Sequence, residues 1–479
     1  MSHITIAATD GHDGSMGLFG RRRIFEAYPG IFVRERLDSS LFAYGRSKYP
    51  AYPLLTRAWC YQERMLATRV IHFTPAGLLF ECREGFWEEN DEEICEGQKS
   101  KYASKLLDLE AEHESSDQIQ VYSLSSSDKK SLPDPEKLVR LNKRYELWAT
   151  IVNTFSSADL TYRTDVLPAL SSIASQIYSP QMGKYLAGLW EKDLICGLLW
   201  ICATDPDEEP EVFRRPSDYV APTFSWASRT GPVSMFKQAR YDFEVKIKVS
   251  EASCTPKGSD IFGQISYAFV RVRGRLVEAE FHGKACHDPR CTKLYQESRS
   301  YGQHNVRSLA HVFYPECHIF REGRIIHSKI YTDCEEDANL GNAETVYCLQ
   351  IMRLQAGPDE EDDEEDEEDD EDDVEDDEDH DEEDDWEDIE DDEEGEGDEG
   401  DEGDEGDEGD EGDEGDGGDE GDEGDEEDEE DEDHREWHSA VLILRRSPGS
   451  GDCYTRIAAN LEFDGDIFED APEVDITII

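Results

Sequence analysis

Between Asp359 and Asp433 the chain carries 59 acidic residues and no lysine or arginine. A stretch this charged has too little apolar surface to offset the entropy of ordering, so it is expected to stay disordered. Within it, Asp398 to Gly424 is a run of Asp-Glu-Gly triplets broken once, at Gly417. Glycine at every third position matches collagen spacing, but the run has no proline and its charges would repel in a triple helix. Two uses are open to it: a polyanion that binds basic proteins such as histones or basic tails, or a solvated repeat without a partner. The second is favoured, because a like-charge run is ordinarily a solvated one. Strand-like text resumes afterwards, so residues 358–434 read as an insertion and not a tail. Closing such a loop costs on the order of 4 kcal/mol beyond a constant, which a good sheet absorbs.

Taking those 59 charges from the formal net charge of −69 leaves −10 on the remainder, an ordinary value. The 479 residues allow two or three domains. The N-terminus has neither a basic start nor a long apolar run, so no targeting segment is expected. Tyr185 to Ala203 is the most apolar helix-like stretch, but Glu191-Lys192-Asp193 interrupts it, so it reads as a core helix and not a membrane span. The twelve cysteines are scattered, several within apolar runs (Cys196, Cys202, Cys348). Reduced, buried thiols in the cytoplasm or nucleus are the expectation. His282, Cys286, His287 and Cys291 resemble half a zinc site, yet no second close pair follows; they read as buried or loop thiols, and no metal is expected.

Periodicity divides the rest. Residues 56–66 predict a helix capped by Thr56, with Ala58, Trp59, Gln62, Met65 and Leu66 on one face. Val70–Phe73 and Leu78–Cys82 flank Thr74-Pro-Ala-Gly77, a hairpin signal. Residues 96–135 lack periodicity and read as a mobile loop. A long helix opens at Asp134-Pro135, with Leu138, Leu141, Tyr145, Trp148, Val152 and Phe155 inward. A second buries Leu167, Leu170, Ile173 and Ile177, and a third is predicted through Leu186, Leu189, Trp190, Leu194, Leu198 and Ile201, giving a helical layer over 136–218. From Tyr219 the period falls to two: Phe243–Val249, Ala268–Val272, Ala310–Phe313, Arg324–Tyr331 and Val346–Leu354 read as strands. Ala440–Leu444 and Tyr454–Ala458 form a last hairpin around Ser447–Asp452. The fold class is therefore α+β, with residues 219–357 and 435–479 forming one antiparallel, mostly β unit. Val346–Leu354 is expected beside Ala440–Leu444.

Several passages, in order, resemble the fungal heterokaryon-incompatibility (HET) domain proteins. They are Ile4–Asp10, Leu55-Thr-Arg-Ala-Trp-Cys-Tyr-Gln-Glu-Arg-Met-Leu66, Arg69–Phe73 and Leu79–Cys82. Leu160–Ser171, Tyr185–Trp190 and Ala221-Pro-Thr-Phe-Ser-Trp-Ala-Ser228 resemble the region that commonly follows such a domain. The most specific piece is the motif Arg57, Trp59, Gln62, Glu63, Arg64. The opening Leu-Ser-Tyr-x-Trp-Gly strand and the Asp-x-x-Cys-Ile-x-Gln segment are missing, so residues 1–95 read as the C-terminal part of a HET domain, truncated at its N-terminal side. The resemblance implies non-self recognition leading to growth arrest or cell death, through protein partners. A suggested likeness of HET to TIR domains implies an alternative, cleavage of NAD.

For that chemistry the weak candidate is Glu63, a carboxylate that would have to sit near a ribose. The plainer reading gives Glu63 and Arg64 ordinary surface or ion-pair contacts, with Trp59 packed inward, and it is favoured. His72 reads as a wall residue on its strand. No nucleophile elbow or phosphate-binding glycine loop is present. No cofactor, nucleic acid or membrane is implied, and an interaction protein is preferred to an enzyme.

Overall fold

The computed structural model describes residues 4–9, 11, 18, 24–34, 52–82, 86–89, 135–203, 213–237, 241–283, 291, 317–327, 330–339, 343–356, 437–449, 451–463 and 465–479. The loop expected at 96–135, apart from Pro135, the strand expected at Ala310–Phe313 and the acidic insertion lie outside these residues.

The N-terminal part holds β1 (Thr5–Ala8), a hairpin of β2 (Ile24–Tyr28) and β3 (Ile31–Arg34), helix α1 (Ala58–Leu66), then β4 (Arg69–Phe73), β5 (Leu78–Cys82) and β6 (Phe86–Glu88). A four-stranded sheet runs β1-β4-β5-β6, with β1 parallel to β4 and the other pairs antiparallel. The β4–β5 turn closes as its residues predict: the Thr74 hydroxyl donates to Gly77 O at 2.8 Å and accepts from Gly77 N at 3.1 Å.

Helix α2 (Pro135–Ser156) begins at the expected proline, and α3 (Pro168–Ile177) follows. Leu141, Trp148, Val152 and Phe155 of α2 are buried, as are Leu167, Leu170, Ile173 and Ile177 around α3; the side chain of Leu138 lies outside the described residues.

The expected third helix is not there. Its residues form a tight hairpin, β7 (Tyr185–Leu186) and β8 (Leu189–Trp190), then a one-turn helix α4 (Leu194–Gly197) and β9 (Ile201–Cys202). The turn residues Ala187 and Gly188 have φ of +55° and +96°, the pair of left-handed conformations that a type I′ hairpin needs and a helix cannot contain. A Cβ on Gly188 would lie 2.7 Å from Trp226 Nε1, so glycine is required twice over.

After β10 (Val233–Ser234) come β11 (Tyr241–Val245), β12 (Lys248–Pro256) and the long β13 (Ile265–His282), then β14 (His318–Arg321), β15 (Arg324–His327), β16 (Tyr331–Thr332), the short helix α5 (Glu335–Ala338), β17 (Glu344–Ala356), β18 (His438–Arg446), β19 (Cys453–Phe463) and β20 (Glu473–Ile478). They form a ten-stranded, mostly antiparallel sheet. The strand read as Phe243–Val249 is split at 246–247, and of the strand read as Arg324–Tyr331 the described residues give the end of β15 at His327 and the start of β16 at Tyr331. β17 and β18 pair from Tyr347↔Leu444 to Leu354↔His438, so the strands flanking the insertion share a sheet as expected.

Within this sheet β13 pairs with both β17 and β20, and the path β13-β17-β18-β19-β20 returns to β13. These strands therefore close into a ring, with β19 and β20 joined at Cys453↔Thr477 and Tyr454↔Ile478. β13 changes neighbour along its length, from β12 up to Arg273 to β17 from Leu276. Gly274 sits at the change, and a Cβ there would meet Ile247 Cγ2 at 2.7 Å. Strand β18 buries both faces: Ala440, Leu442 and Leu444 join the core shared with α1, α2 and α3, while Val441 and Ile443 join a second core with Val277, Phe281, Val346 and Ile457. Burial on both sides is why β18 reads as an unbroken apolar run.

Candidate functional site

Helix α1 starts at an extended Arg57 without a side-chain cap. Thr56 is not the expected cap; its hydroxyl donates to Pro53 O at 3.1 Å and its carbonyl accepts from Asp159 N. The buried face is Ala58, Gln62 and Met65, with Leu66 packed beside it. Trp59 does not pack inward as expected. It is 41% exposed, and its Nε1 donates to Asp165 Oδ2 at 3.4 Å. The reason is helical geometry: Trp59 sits about 100° round from Ala58, at the edge of the buried stripe. Arg57 and Glu63 are exposed.

Gln62 and Arg64 turn inward on separate tasks. Gln62 Oε1 accepts from Ser172 N at 3.1 Å and so ties α1 to α3. Arg64 reaches the N-terminal sheet, where its Nε and Nη2 grip Glu81 at 3.0 and 2.9 Å. Glu81 on β5 and His72 on β4 are both buried to 1% exposure and are diagonal neighbours on one sheet face, with His72 opposite Leu79 and Glu81 opposite Val70. His72 Nε2 lies 2.8 Å from Glu81 Oε2, and His72 Nδ1 lies 2.9 Å from Thr9 Oγ1 just past β1. The neutral tautomer that satisfies both contacts donates from Nε2 to the carboxylate and accepts from the threonine hydroxyl at Nδ1.

Hydroxyl, imidazole, carboxylate and guanidinium thus form one line, Thr9–His72–Glu81–Arg64. The order matches a nucleophile with its base and orienting acid. However, Thr9 is 0% exposed, so its hydroxyl meets packed atoms and no substrate. What the line does is join β1, β4, β5 and α1 through charge-assisted bonds. His72 is thus more than a wall residue, and Glu81, which strand periodicity alone does not single out, is its partner. The available signal was an ionisable residue at an inward position of an apolar strand.

A second buried network joins the closed sheet to the helical side. Arg456 on β19 is 0% exposed; it pairs with Asp333 at 3.0 Å, donates to Leu198 O at 2.6 Å and to Trp200 O, and lies 3.6 Å over the Trp200 ring. Arg215 bonds Asp337 at 2.9 Å and Arg456 O at 2.7 Å. Cys334 donates to Asp337 Oδ2 at 2.8 Å, and Cys202 donates to Thr332 O at 3.1 Å. Burial pushes the Cys202 thiol up to about 11 despite nearby Arg229, and burial followed by Asp337 raises Cys334. Thiols held protonated in this way are poor nucleophiles, so the network binds elements together.

Cys196, Cys202 and Cys348 are buried thiols, as their surroundings predict. His282 and Cys291 approach to 3.6 Å, while Cys286 and His287 lie outside the described residues. Among the described residues no group of histidine, cysteine or carboxylate side chains is placed to hold a metal ion, and no helix is long and apolar enough to cross a membrane.

No family model, no curated protein and no solved structure matches the chain.

Proposed function

We propose that this chain acts in fungal non-self recognition as a HET-type protein, signalling growth arrest or cell death through protein contacts in the cytoplasm or nucleus. The observation that supports this reading is the convergence of the segments that carry the resemblance. Gln62 of the motif bonds Ser172, and Trp59 bonds Asp165, so α1 is fastened to the segment around Leu160–Ser171. Gly188 O in Tyr185–Trp190 accepts from both Trp148 and Trp226, at 2.9 and 3.1 Å, and Ser225 donates to Ala187 O. Passages far apart in sequence form one packed junction, as parts of a single inherited unit would.

The junction leaves Trp59 and Glu63 one turn apart on the outer side of α1, with Arg57 at its start. An exposed tryptophan between charges is the kind of residue that anchors a protein partner. Inducible expression in a filamentous fungus tests the reading. Wild-type protein should arrest growth, and Trp59→Ala should be folded, equally abundant and inactive. Unimpaired growth with abundant wild-type protein would count against the proposal, as would full arrest by Trp59→Ala.

A further inference from the structure

The hairpin of β2 and β3 belongs to neither core. Every residue from Ile24 to Val33 is exposed, and among the described residues the two strands pair only with each other. The chain turns through Pro29-Gly30, with Gly30 at φ +82° and its N–H donating to Glu26 Oε1 at 3.0 Å. Cross-strand partners point to the same side of a hairpin. The register places Phe25 opposite Val33 and Tyr28 opposite Ile31. Ile31 and Val33 are two apart on β3, so both pairs share one face. That face is apolar throughout, and each of its four side chains is at least half exposed, up to 70% at Tyr28. The other face is mixed: Glu26 lies opposite Phe32 there, with Ile24 beside them.

A lone two-stranded hairpin is marginally stable in water and needs a cover over its apolar side. The four residues carry no charge, so they offer an ionic partner nothing to pair with. An anionic lipid surface is repelled by a chain of formal net charge −69. A second copy of the same hairpin fits. A two-fold axis along the strands lays β2 of one copy over β3 of the other, so that Phe25 meets Val33 and Tyr28 meets Ile31. Each aromatic ring then faces a smaller aliphatic side chain, as in well-packed stacked sheets. The four side chains expose on the order of 500 Å² per copy, so the pair buries on the order of 1,000 Å², the lower limit for a specific contact.

We propose that the β2–β3 hairpin is a self-association surface, through which two copies of the chain form a reversible two-fold dimer by stacking the faces of Phe25, Tyr28, Ile31 and Val33. Both copies are strongly acidic and repel at long range, so added salt tightens the dimer by screening. The inference stands independently of the incompatibility reading.

Sedimentation equilibrium of the full chain tests this. The weight-average mass should rise from 54.5 kDa toward twice that value across the micromolar range, and should do so at lower concentration when sodium chloride is raised. Phe25→Lys and Tyr28→Lys each put a charge on the stacked face and should raise the dissociation constant at least about tenfold. Phe32→Lys puts the same charge on the opposite face, across from Glu26, and should leave the constant within about twofold. All three sites are exposed, so the variants should melt as wild type does. The two variants on the stacked face keep the test decisive if one of them does not fold. A chain that stays monomeric at every concentration and salt, a dimer that salt weakens, equal effects of Phe25→Lys and Phe32→Lys, or a wild-type dimer in Tyr28→Lys overturns the proposal. In a second series with neutral phosphatidylcholine vesicles, the chain should stay in solution. Sedimentation with the vesicles that is lost in Phe25→Lys assigns the face to lipid and overturns the proposal as well.

Discussion

Glu63 and Glu81 have the same side chain and opposite fates. Glu81 is gripped between Arg64 and His72 in the sheet interior, whereas Glu63 stands in water on α1. Arg64→Ala would leave the Glu81 carboxylate buried without its guanidinium partner, and should cost about 3–5 kcal/mol in urea unfolding. Glu63→Ala should change stability by less than about 0.5 kcal/mol, and in incubations with NAD it should match wild type, with no nicotinamide released by either. Turnover lost in Glu63→Ala would instead favour the nucleotide-cleaving alternative. Burial pushes Asp193, at the start of α4, up to about 8. Between pH 4 and 8 the folded state then holds a proton that the unfolded state releases, so stability falls as pH rises through this window and levels off above it. Asp193→Asn should remove that slope and be the more stable form above pH 8. A gain of about 2 kcal/mol is expected, less than the whole shift would give because the side chain is only partly covered. Of these roles the sequence carried the motif but not the direction of each residue in it. A helix of nine residues offers overlapping apolar stripes, and only the position of α3 decides that Gln62 turns inward and Trp59 outward.

At the scale of elements, what could be read and what could not follows from how many faces are buried. β4 and β5 were legible because a turn with a proline and a glycine separates two short apolar runs, and the helices α2 and α3 because each buries one stripe. The segment from Tyr185 to Trp190 is buried at every position, so its three- and four-residue spacings carry no directional information. Only the Ala-Gly pair at its turn hinted at a hairpin. Gly274 is a similar local marker. It lets Ile247 cross β13 where that strand exchanges β12 for β17. Gly274→Val should therefore force Ile247 and Leu349 apart and lower stability by about 1–3 kcal/mol, read as an earlier midpoint in a denaturant titration. A valine variant with an unchanged midpoint would mean that the crossing has slack.

At the scale of the whole molecule, closure of the β unit was not legible, since alternation gives strands but not which of them pair at a distance. Closure depends on β13 holding β17 through one part of its length and β20 through another. The insertion is attached to this ring at a favourable place. Leu354 and His438 stand directly opposite each other, so the two ends it joins are neighbouring strand ends. A turn of a few residues bridges such ends. Replacing residues 359–433 with a short Gly/Asn turn should leave the β17–β18 register intact and the melting temperature equal or higher, because a shorter loop closes at lower entropic cost. Loss of cooperative melting in that deletion would show that the insertion holds the sheet together.

The same placement has a genetic consequence. Repeated codons for Asp-Glu-Gly invite slippage by the replication machinery, and each slip of a whole unit keeps the reading frame. Because the repeat hangs from adjacent strand ends, each doubling of its length adds only about 0.6 kcal/mol to folding. Alleles with long and short repeats would therefore build the same protein around it, and the repeat number is free to drift until something outside the fold selects upon it.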